Sequence, residues 1–453
     1  MGTTEVKNDH VEEVKALIKA GRESEVAAIL EELHASDIGR IIAALDEEDA
    51  IRIFKLLEPE EASLVLLEVD EHRRKALISS ITSEELIDVV HEMETDDAAD
   101  VISELPVEDA KQVLDGIDKH ESIAVQKLLV FPEDTAGGKM QAELAAVHET
   151  ATVQEAIEEV RRKAHEIDNI SNVFVVDKEG RFSGAVPLDK LILAYPETPI
   201  ISITNRDTIT VRTDMDQEEV AKLFQKYDLI SVPVVDHDGR LVGRITVDDI
   251  VDVLEEEIFE DFFKLAGLNI ESRALDPAGR TIRMRIPWLL LNLATAVLAA
   301  SVVKLFESTI AELVVLAVLM PIVAGMGGNA ATQTITVVVR ALALGELNFK
   351  NARWVLMKEA LVGFVNGCLT GAIAGLVAYL IGANAVVGLI LALAMIANMV
   401  IAGLIGSIIP LVLKRFKVDP AISSSIFVTT ATDIGGFFTF LGLAALFMKM
   451  GFL

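Results

Sequence analysis

Five stretches in the second half of the chain are each long and apolar enough to cross a bilayer hydrocarbon core of about 30 Å. They run over residues 287–306, 312–344, 355–381, 386–413 and 420–448. No hydrogen-bond partner for the backbone exists in lipid, so this half must be helical. The second stretch is too long for one simple helix and contains Pro321 and Gly325-Met326-Gly327-Gly328-Asn329. A break or unwound segment is expected there, which is tolerated only where backbone is buried or lines a cavity. Charge is distributed in the opposite way. Residues 1–284 carry 64 acids and 30 bases, against 6 acids and 10 bases from Arg285 onward, within a net charge of −30. An acidic soluble front is joined to an apolar back.

That division excludes several classes. The negative front repels phosphates, so nucleic acid is not an expected partner. The single cysteine, Cys368, excludes a disulfide framework or a thiolate zinc site. Residues 1–10 lack the apolar core of a signal peptide, and Gly2 is followed by Val6 where myristoylation wants Ser or Thr. Neither H-E-x-x-H nor G-x-S-x-G occurs, so the chain is not read as an enzyme. With the N-terminus in the cytoplasm, Arg280, Arg283, Arg285, Arg340, Lys350, Arg353, Lys358, Lys414, Arg415 and Lys417 fall inside. Only Lys304 and Lys449 fall outside, which satisfies the positive-inside rule and leaves the C-terminus outside.

Within the last apolar stretch Asp433 is the only acid, about 20 Å along a helix from Pro420 and so near the bilayer centre. A charge there costs at least ~2.5–3.5 kcal/mol, which marks it as a proton or cation site. Its neighbours favour a metal. Ser423, Ser424, Ser425, Thr429, Thr430 and Thr432 precede it and Gly435-Gly436 follow, while Asn329, Thr332, Gln333, Thr334 and Thr336 offer further oxygens from the second stretch. Hydroxyls, amides and one carboxylate make a hard-oxygen set, suited to Mg²⁺ or Ca²⁺. Two chains about an axis would bring two such carboxylates together. The rival reading is a carrier that uses Asp433 as a proton site. In the third stretch Gly363, Gly367, Gly371 and Gly375 share one helix face, a pattern for close helix packing.

The front contains two repeats. Leu45, Leu57, Val69, Ile81, Met93, Leu105 and Ile117 recur every twelve residues, as do Ile41, Ile53, Val65, Leu77, Val89, Val101 and Val113. Each unit predicts an amphipathic helix of about two turns, too short to stand alone, so the units should stack into an α-solenoid. Next, Val175-Val176-Asp177, Gly180-Arg181 and Gly184 recur 59 residues later as Val234-Val235-Asp236, Gly239-Arg240 and Gly243. Each copy reads as strand, Gly turn and strand leading into a helix, and the two together resemble a tandem CBS-domain pair. The second copy carries the nucleotide pattern of that family in Gly243, Thr246 and Asp249. The first has Pro187 and Lys190 in the Thr and Asp places, so ATP binding stays open.

A helix over residues 248–268 follows, with Ile250, Val251, Leu254, Ile258, Phe262 and Leu265 as its apolar stripe. Eight of its residues between Asp248 and Asp261 are acids, and the solenoid holds another cluster in Asp96-Asp97-Ala98-Ala99-Asp100. Like charges repel unless a cation intervenes, so the front should be loose without divalent cations and compact with them.

This order of parts, with Glu133-Asp134-Thr135-Ala136-Gly137-Gly138, Gly327-Gly328-Asn329 and Asp419-Pro420-Ala421 leading to Asp433, resembles the MgtE family of magnesium channels across essentially the whole chain. Ala331 stands where that family usually has Gly. The resemblance implies a homodimer in the cell membrane that conducts hydrated Mg²⁺ past Asp433, with Thr429 and Asn329 beside it. It also implies closure by cytosolic Mg²⁺ bound at Asp96 and Asp100 in the solenoid, Glu218 and Asp228 in the CBS pair, and Asp249, Asp252, Glu257, Glu260 and Asp261 in or beside the connecting helix. Expected domains are an acidic helical-repeat domain at 1–136, a CBS pair at 137–248, a connecting (plug) helix and linker at 249–284, and a five-helix pore domain at 285–453.

Overall fold

The computed structural model describes residues 4–453 except 166, 168, 269–271 and 273–277, with the side chains of 4–9 and 423–425 also left out. Ser423, Ser424, Ser425 and part of the linker expected at 249–284 therefore lie outside the described set. Two compact units divide the chain, Met1–Leu254 and Glu255–Leu453.

The first unit begins with α1 (Thr4–Lys19), α2 (Glu23–Leu30), α3 (Ala35–Ala44), α4 (Glu47–Phe54), α5 (Pro59–Leu67) and α6 (Glu71–Ser80). It continues with α7 (Ser83–His91), α8 (Thr95–Ser103), α9 (Val107–Gly116) and α10 (Lys119–Leu128). From α3 to α10 every helix starts twelve residues after the last, as the sequence period predicts. The stacking partner is the helix two repeats away: α3 packs on α5, α4 on α6, α5 on α7, α7 on α9 and α8 on α10. This is an α-solenoid. Helices of two to three turns are marginal alone, and a shared row of buried Ile42, Phe54, Leu66, Ile78, Val90 and Ile102 stabilises them together.

Two α/β copies follow. The first holds β1 (Ala146–His148), α11 (Val153–Lys163), β2 (Asn172–Val176), β3 (Phe182–Pro187) and α12 (Leu188–Leu193). The second holds β4 (Val211–Arg212), α13 (Gln217–Tyr227), β5 (Ser231–Val235) and β6 (Leu241–Thr246), and runs into α14 (Val247–Leu265). Their sheets have the same order and pairing: parallel β1–β2 and β4–β5, antiparallel β2–β3 and β5–β6. Even the irregularity repeats, with Val175 opposite Gly184 and Val234 opposite Gly243. The copies face each other about a local twofold, since Phe182 N donates to Gly239 O and Leu241 N to Gly180 O. The core of the second copy is continuous with that of the solenoid, whereas the first copy has its own.

Between solenoid and CBS pair, the segment 133–138 is laid onto the second copy. Ala136 N donates to Met215 O and Gly137 N to Thr213 O. A Cβ on Gly138 would lie 2.3 Å from the Pro132 carbonyl oxygen, so this turn requires glycine.

The second unit contains α15 (Ala278–Leu305), α16 (Glu307–Glu312), α17 (Val315–Ala343), α18 (Ala352–Leu380), α19 (Ala385–Arg415), a 3-10 turn (Pro420–Ser423) and α20 (Ser424–Lys449). Five of these helices are long and apolar enough to span a membrane. α19 is central: half of its apolar window is buried, against 11% for α15. Two expectations are corrected. α15 begins nine residues before Pro287, because a helix can continue past the hydrocarbon with Arg280, Arg283 and Arg285 on its polar end. α17 runs unbroken through Pro321 and Gly325–Asn329. Pro321 lies in the second turn, where loss of one backbone bond is tolerated in a packed bundle, and Gly327 and Gly328 lie against side chains of other helices.

The glycine face of α18 lies against α19. A Cβ on Gly363 would meet Met399 O at 2.4 Å, on Gly367 the Ile396 Cα at 2.6 Å, and on Gly371 the Ala392 O at 2.8 Å. Backbone cannot yield as a side-chain tip can. Gly367→Val is expected to destabilise the bundle by about 1–3 kcal/mol or more. A thermal midpoint by size-exclusion chromatography that equals wild type would contradict this packing.

Candidate metal centres

Each solenoid helix is preceded by a residue in capping position. His34, Asp46, Asp70, Thr82 and Asp118 use their side chains there to accept a first-turn backbone N–H. Glu94, in the same place before α8, makes no such bond. Its carboxylate accepts instead from Gln141 Nε2 at 2.5 Å, and the same nitrogen reaches Asp249 Oδ2 at 3.4 Å. Asp96 and Asp97 occupy the first turn of α8. Glu94, Asp96 and Asp97 bring carboxylate oxygens within 4.8 Å of one another. Asp96 is 7% exposed, and its Oδ1 has no hydrogen-bond partner among the described residues.

The surroundings hold these acids without neutralising them. Thr95 Oγ1 donates to Glu143 Oε2 at 2.8 Å, and Ala142 N donates to Thr95 Oγ1 at 2.9 Å. Thr246 Oγ1 donates to Asp249 Oδ2 at 2.8 Å, fixing the first turn of α14. Arg244 comes only to 4.0 Å of Glu94. Burial pushes Glu94 up to about 8, against the pull of Arg244 and with added repulsion from Asp249, Asp97 and Glu143. Burial likewise raises Asp97 to about 7, with Asp249 and Asp100 adding and Lys139 and Arg74 opposing. Asp96 is held well above the usual carboxylate range by burial and by Asp97, Asp249 and Glu94. Asp249 rises to about 6, burial outweighing its bond from Thr246. A helix N-terminus favours an anion by only about 0.3–1 kcal/mol, too little for three. Hard oxygens with one bare buried acceptor suit a small divalent cation.

The sequence named Asp96 and Asp249, and the structure brings both to this place. Glu94 was missed, and Asp97 was named as part of the acid cluster but not as a ligand. The twelve-residue register gave no separate signal for Glu94, because Glu58 stands in the same capping place before α5 and likewise makes no capping bond. Asp100 lies 3.9 Å from Lys139. Glu218 and Asp228 sit at opposite ends of α13, Glu218 paired with Lys222 at 2.8 Å and Asp228 exposed in a left-handed cap. Asp252 is on the exposed side of α14, and Glu257, Glu260 and Asp261 follow in its second half. There Lys264 bridges Glu260 and Asp419, the latter at 2.6 Å. Of the apolar stripe on α14, Ile250 is buried, whereas Val251, Ile258 and Phe262 are exposed.

In the second unit Asp433 is half-buried on α20, and no described side chain pairs with it. One turn earlier Thr429 faces α17, where a Cβ on Gly328 would meet its methyl at 3.6 Å. Asn329, Thr332, Gln333 and Thr336 form an exposed polar stripe along α17 in the single chain. Thr334, expected among them, is buried on another face and donates to Glu359 Oε2 at 3.3 Å. At Ala331 the close approach comes from the partner helix: a Cβ on Gly406 would lie 3.1 Å from Ala331 O.

Comparison with known proteins agrees with this architecture. The model of the MgtE family, described as divalent cation transporter, matches residues 320–443. The MgtE intracellular N domain matches 33–134, and the CBS domain matches 137–197 and 200–256. The magnesium transporter MgtE of Thermus thermophilus is 36% identical over 74% of this chain and 75% of its own length. That of Enterococcus faecalis is 33% identical over 73% and 72%. A crystal structure of the cytosolic domain of the Mg²⁺ channel MgtE in complex with ATP is 34% identical, with TM-score 0.51, covering 54% of this chain and 99% of that one. From front to back, then, the chain belongs to the MgtE family of magnesium transporters.

Proposed function

We propose that this chain is a magnesium-selective channel of the cell membrane that works as a homodimer, with the first unit in the cytosol and the C-terminus outside. The parts are the acidic repeat domain at 1–136, the CBS pair at 137–248, the connecting helix and linker at 249–284, and the pore domain at 285–453. The orientation follows from Arg280, Arg283, Arg285, Arg340, Lys350, Arg353, Lys414 and Arg415, which share one set of helix ends, while Lys304 and Lys449 lie at the other.

The carrying observation is the polar stripe of Asn329, Thr332, Gln333 and Thr336 on a helix of membrane-spanning length, with Asp433 half-buried nearby on α20. Polar side chains facing hydrocarbon cost several kcal/mol, so this face belongs against water or a second copy. Two copies enclose a water-lined path with two Asp433 carboxylates. Mg²⁺ dehydrates reluctantly and is held by one or two carboxylates through retained waters, with Thr429 and Asn329 supplying further oxygens.

Regulation is assigned to the acid cluster. A cation shifts an equilibrium only through its different affinity for the two states. Asp249 joins Glu94, Asp96 and Asp97 only when the start of α14 is docked on α8, which supplies that difference. α14 carries Asp249 in its first turn and Lys264, paired with Asp419, in its last. Asp100, Glu218, Asp228, Asp252, Glu257, Glu260 and Asp261 are the further candidate ligands of this sensor. ATP is not assigned: the Asp249 of the nucleotide pattern is committed to the acid cluster.

The deciding experiment is flux into proteoliposomes loaded with a Mg²⁺-sensitive dye. Flux that follows the Mg²⁺ gradient and membrane potential supports a channel, and flux that follows a pH gradient instead makes Asp433 the proton site of a carrier. A second expectation concerns pH. All four cluster acids are raised, so the folded state holds protons that the unfolded chain releases above about pH 4. The stability of the protonated cluster is therefore lost as pH rises through the range set by Asp249 at about 6 and Glu94 at about 8. Mg²⁺ competes with those protons, so its stabilisation of the purified protein should be larger at pH 8 than at pH 6. Equal thermal shifts at the two pH values would remove the cluster from the sensor.

A further inference from the structure

Asn398 is 1% exposed on α19, in the middle of the apolar bundle. Its Nδ2 donates to the Val323 carbonyl at 2.9 Å, two residues beyond Pro321 in α17. Its Oδ1 has no hydrogen-bond partner among the described residues. The amide rests between two glycines of other helices. A Cβ on Gly327 of α17 would lie 2.2 Å from Nδ2, and a Cβ on Gly436 of α20 would lie 2.6 Å from it. Three helices therefore meet on one side chain, and two of them give up their own side chains to admit it.

The place of this node matters more than its existence. Gly327 is two residues before Asn329, and Gly436 is three residues after Asp433. Gly328 faces Thr429. The amide thus adjoins every segment that carries a proposed ion-facing oxygen, without being one of them. A leucine or methionine would fill the same space without a bare buried acceptor, so packing alone does not explain an amide here. What the amide adds is direction: its bond to Val323 O fixes the rotation of α17 relative to α19, and its contact with Gly436 fixes the distance to α20.

We propose that Asn398 is a positioning residue of the permeation path, wedged between Gly327 and Gly436 so as to set the spacing of α17 and α20 and with it the oxygens of Asn329, Thr429 and Asp433. This rests on the reading of Asp433 as the ion site. Asn398→Leu keeps the branching of the side chain in a somewhat larger volume and removes the donor; Asn398→Ser is small enough to fit the same cradle and decides the matter should the leucine variant not fold. Both are measured in proteoliposomes for half-saturating Mg²⁺ and for Mg²⁺ against Ca²⁺ flux, beside wild type and Asp433→Ala.

The expected result is a half-saturating Mg²⁺ concentration about tenfold higher and a weaker preference over Ca²⁺, since misplacement by about 1 Å is worth up to ~10²-fold. Serine, which keeps a hydroxyl donor, should lie between leucine and wild type. A fall only in maximal flux, in proportion to the folded protein recovered, would assign Asn398 a purely structural role and overturn the inference. So would unchanged affinity and preference in both variants beside an inactive Asp433→Ala. Undiminished flux in Asp433→Ala would instead overturn the ion-site reading on which the inference depends.

Discussion

Asp433→Ala is expected to lower Mg²⁺ flux by about 10²-fold or more, while leaving the protein folded and the cytosolic unit responsive to Mg²⁺. Truncating one partner of a desolvated charge interaction typically costs about 2–5 kcal/mol, and ~2.8 kcal/mol is already a factor of about 10². The proposed homodimer would lose two carboxylates at once, which puts the effect at the upper end. Asp433→Asn separates charge from shape: it keeps an oxygen and the side-chain volume, and it should be nearly as inactive if the carboxylate charge holds the hydrated ion. The measurement is dye-reported uptake at matched protein content, with thermal midpoints as the control for folding. Flux that survives both variants would move the ion site away from α20.

The second large effect is expected from Glu94→Gln/Asp96→Asn/Asp97→Asn, and its two parts have opposite signs. In the absence of divalent cations and above about pH 8 the variant should be more stable than wild type, because the cost of burying Glu94, Asp96 and Asp97 in charged form, and the repulsion among them, is gone. In several-millimolar Mg²⁺ the order should reverse, since a site that binds the folded state adds about 1.4 kcal/mol at ten times its dissociation constant and the variant has lost it. Flux through the variant should then persist at cytosolic Mg²⁺ levels that close the wild type. Thermal midpoints with and without Mg²⁺ check the first part, and flux with high Mg²⁺ on the cytosolic face checks the second. A variant that closes normally would place the sensor elsewhere among the acids of α13 and α14.

The parts of this molecule that repeat were readable in advance because a period leaves little freedom. Twelve-residue spacing determined the solenoid, and a 59-residue offset placed the Gly184 and Gly243 irregularities in equivalent positions. Apolar length sufficed for the five long helices. What one chain of residues could not show was which acid meets which. Glu94 and Asp97 matter because Gln141, 47 residues beyond Glu94, turns a capping side chain away from its helix, and no local pattern contains that encounter. The unbroken α17 was missed for a related reason. Pro321 and three glycines read locally as a break, yet here Gly327 and Gly328 admit Asn398 and Thr429 from other helices. Asn398 itself gave no signal, since a lone amide in an apolar stretch has meaning only through the glycines opposite.

The constant step of the solenoid also makes it a ruler. Helices rest on the helix two places away, so its natural increment is a pair of repeats, 24 residues. The hydrogen bonds that gather the acid cluster join Glu94 and Thr95 to residues later in the chain. Material ahead of α8 can therefore be shortened or lengthened by whole pairs without shifting Glu94, Asp96 or Asp97 against Gln141 and Asp249. A change of any other length would turn the apolar row away from its neighbour. The same chain thus separates two things that could vary independently: how far its acidic arm extends, and where it gathers its buried acids.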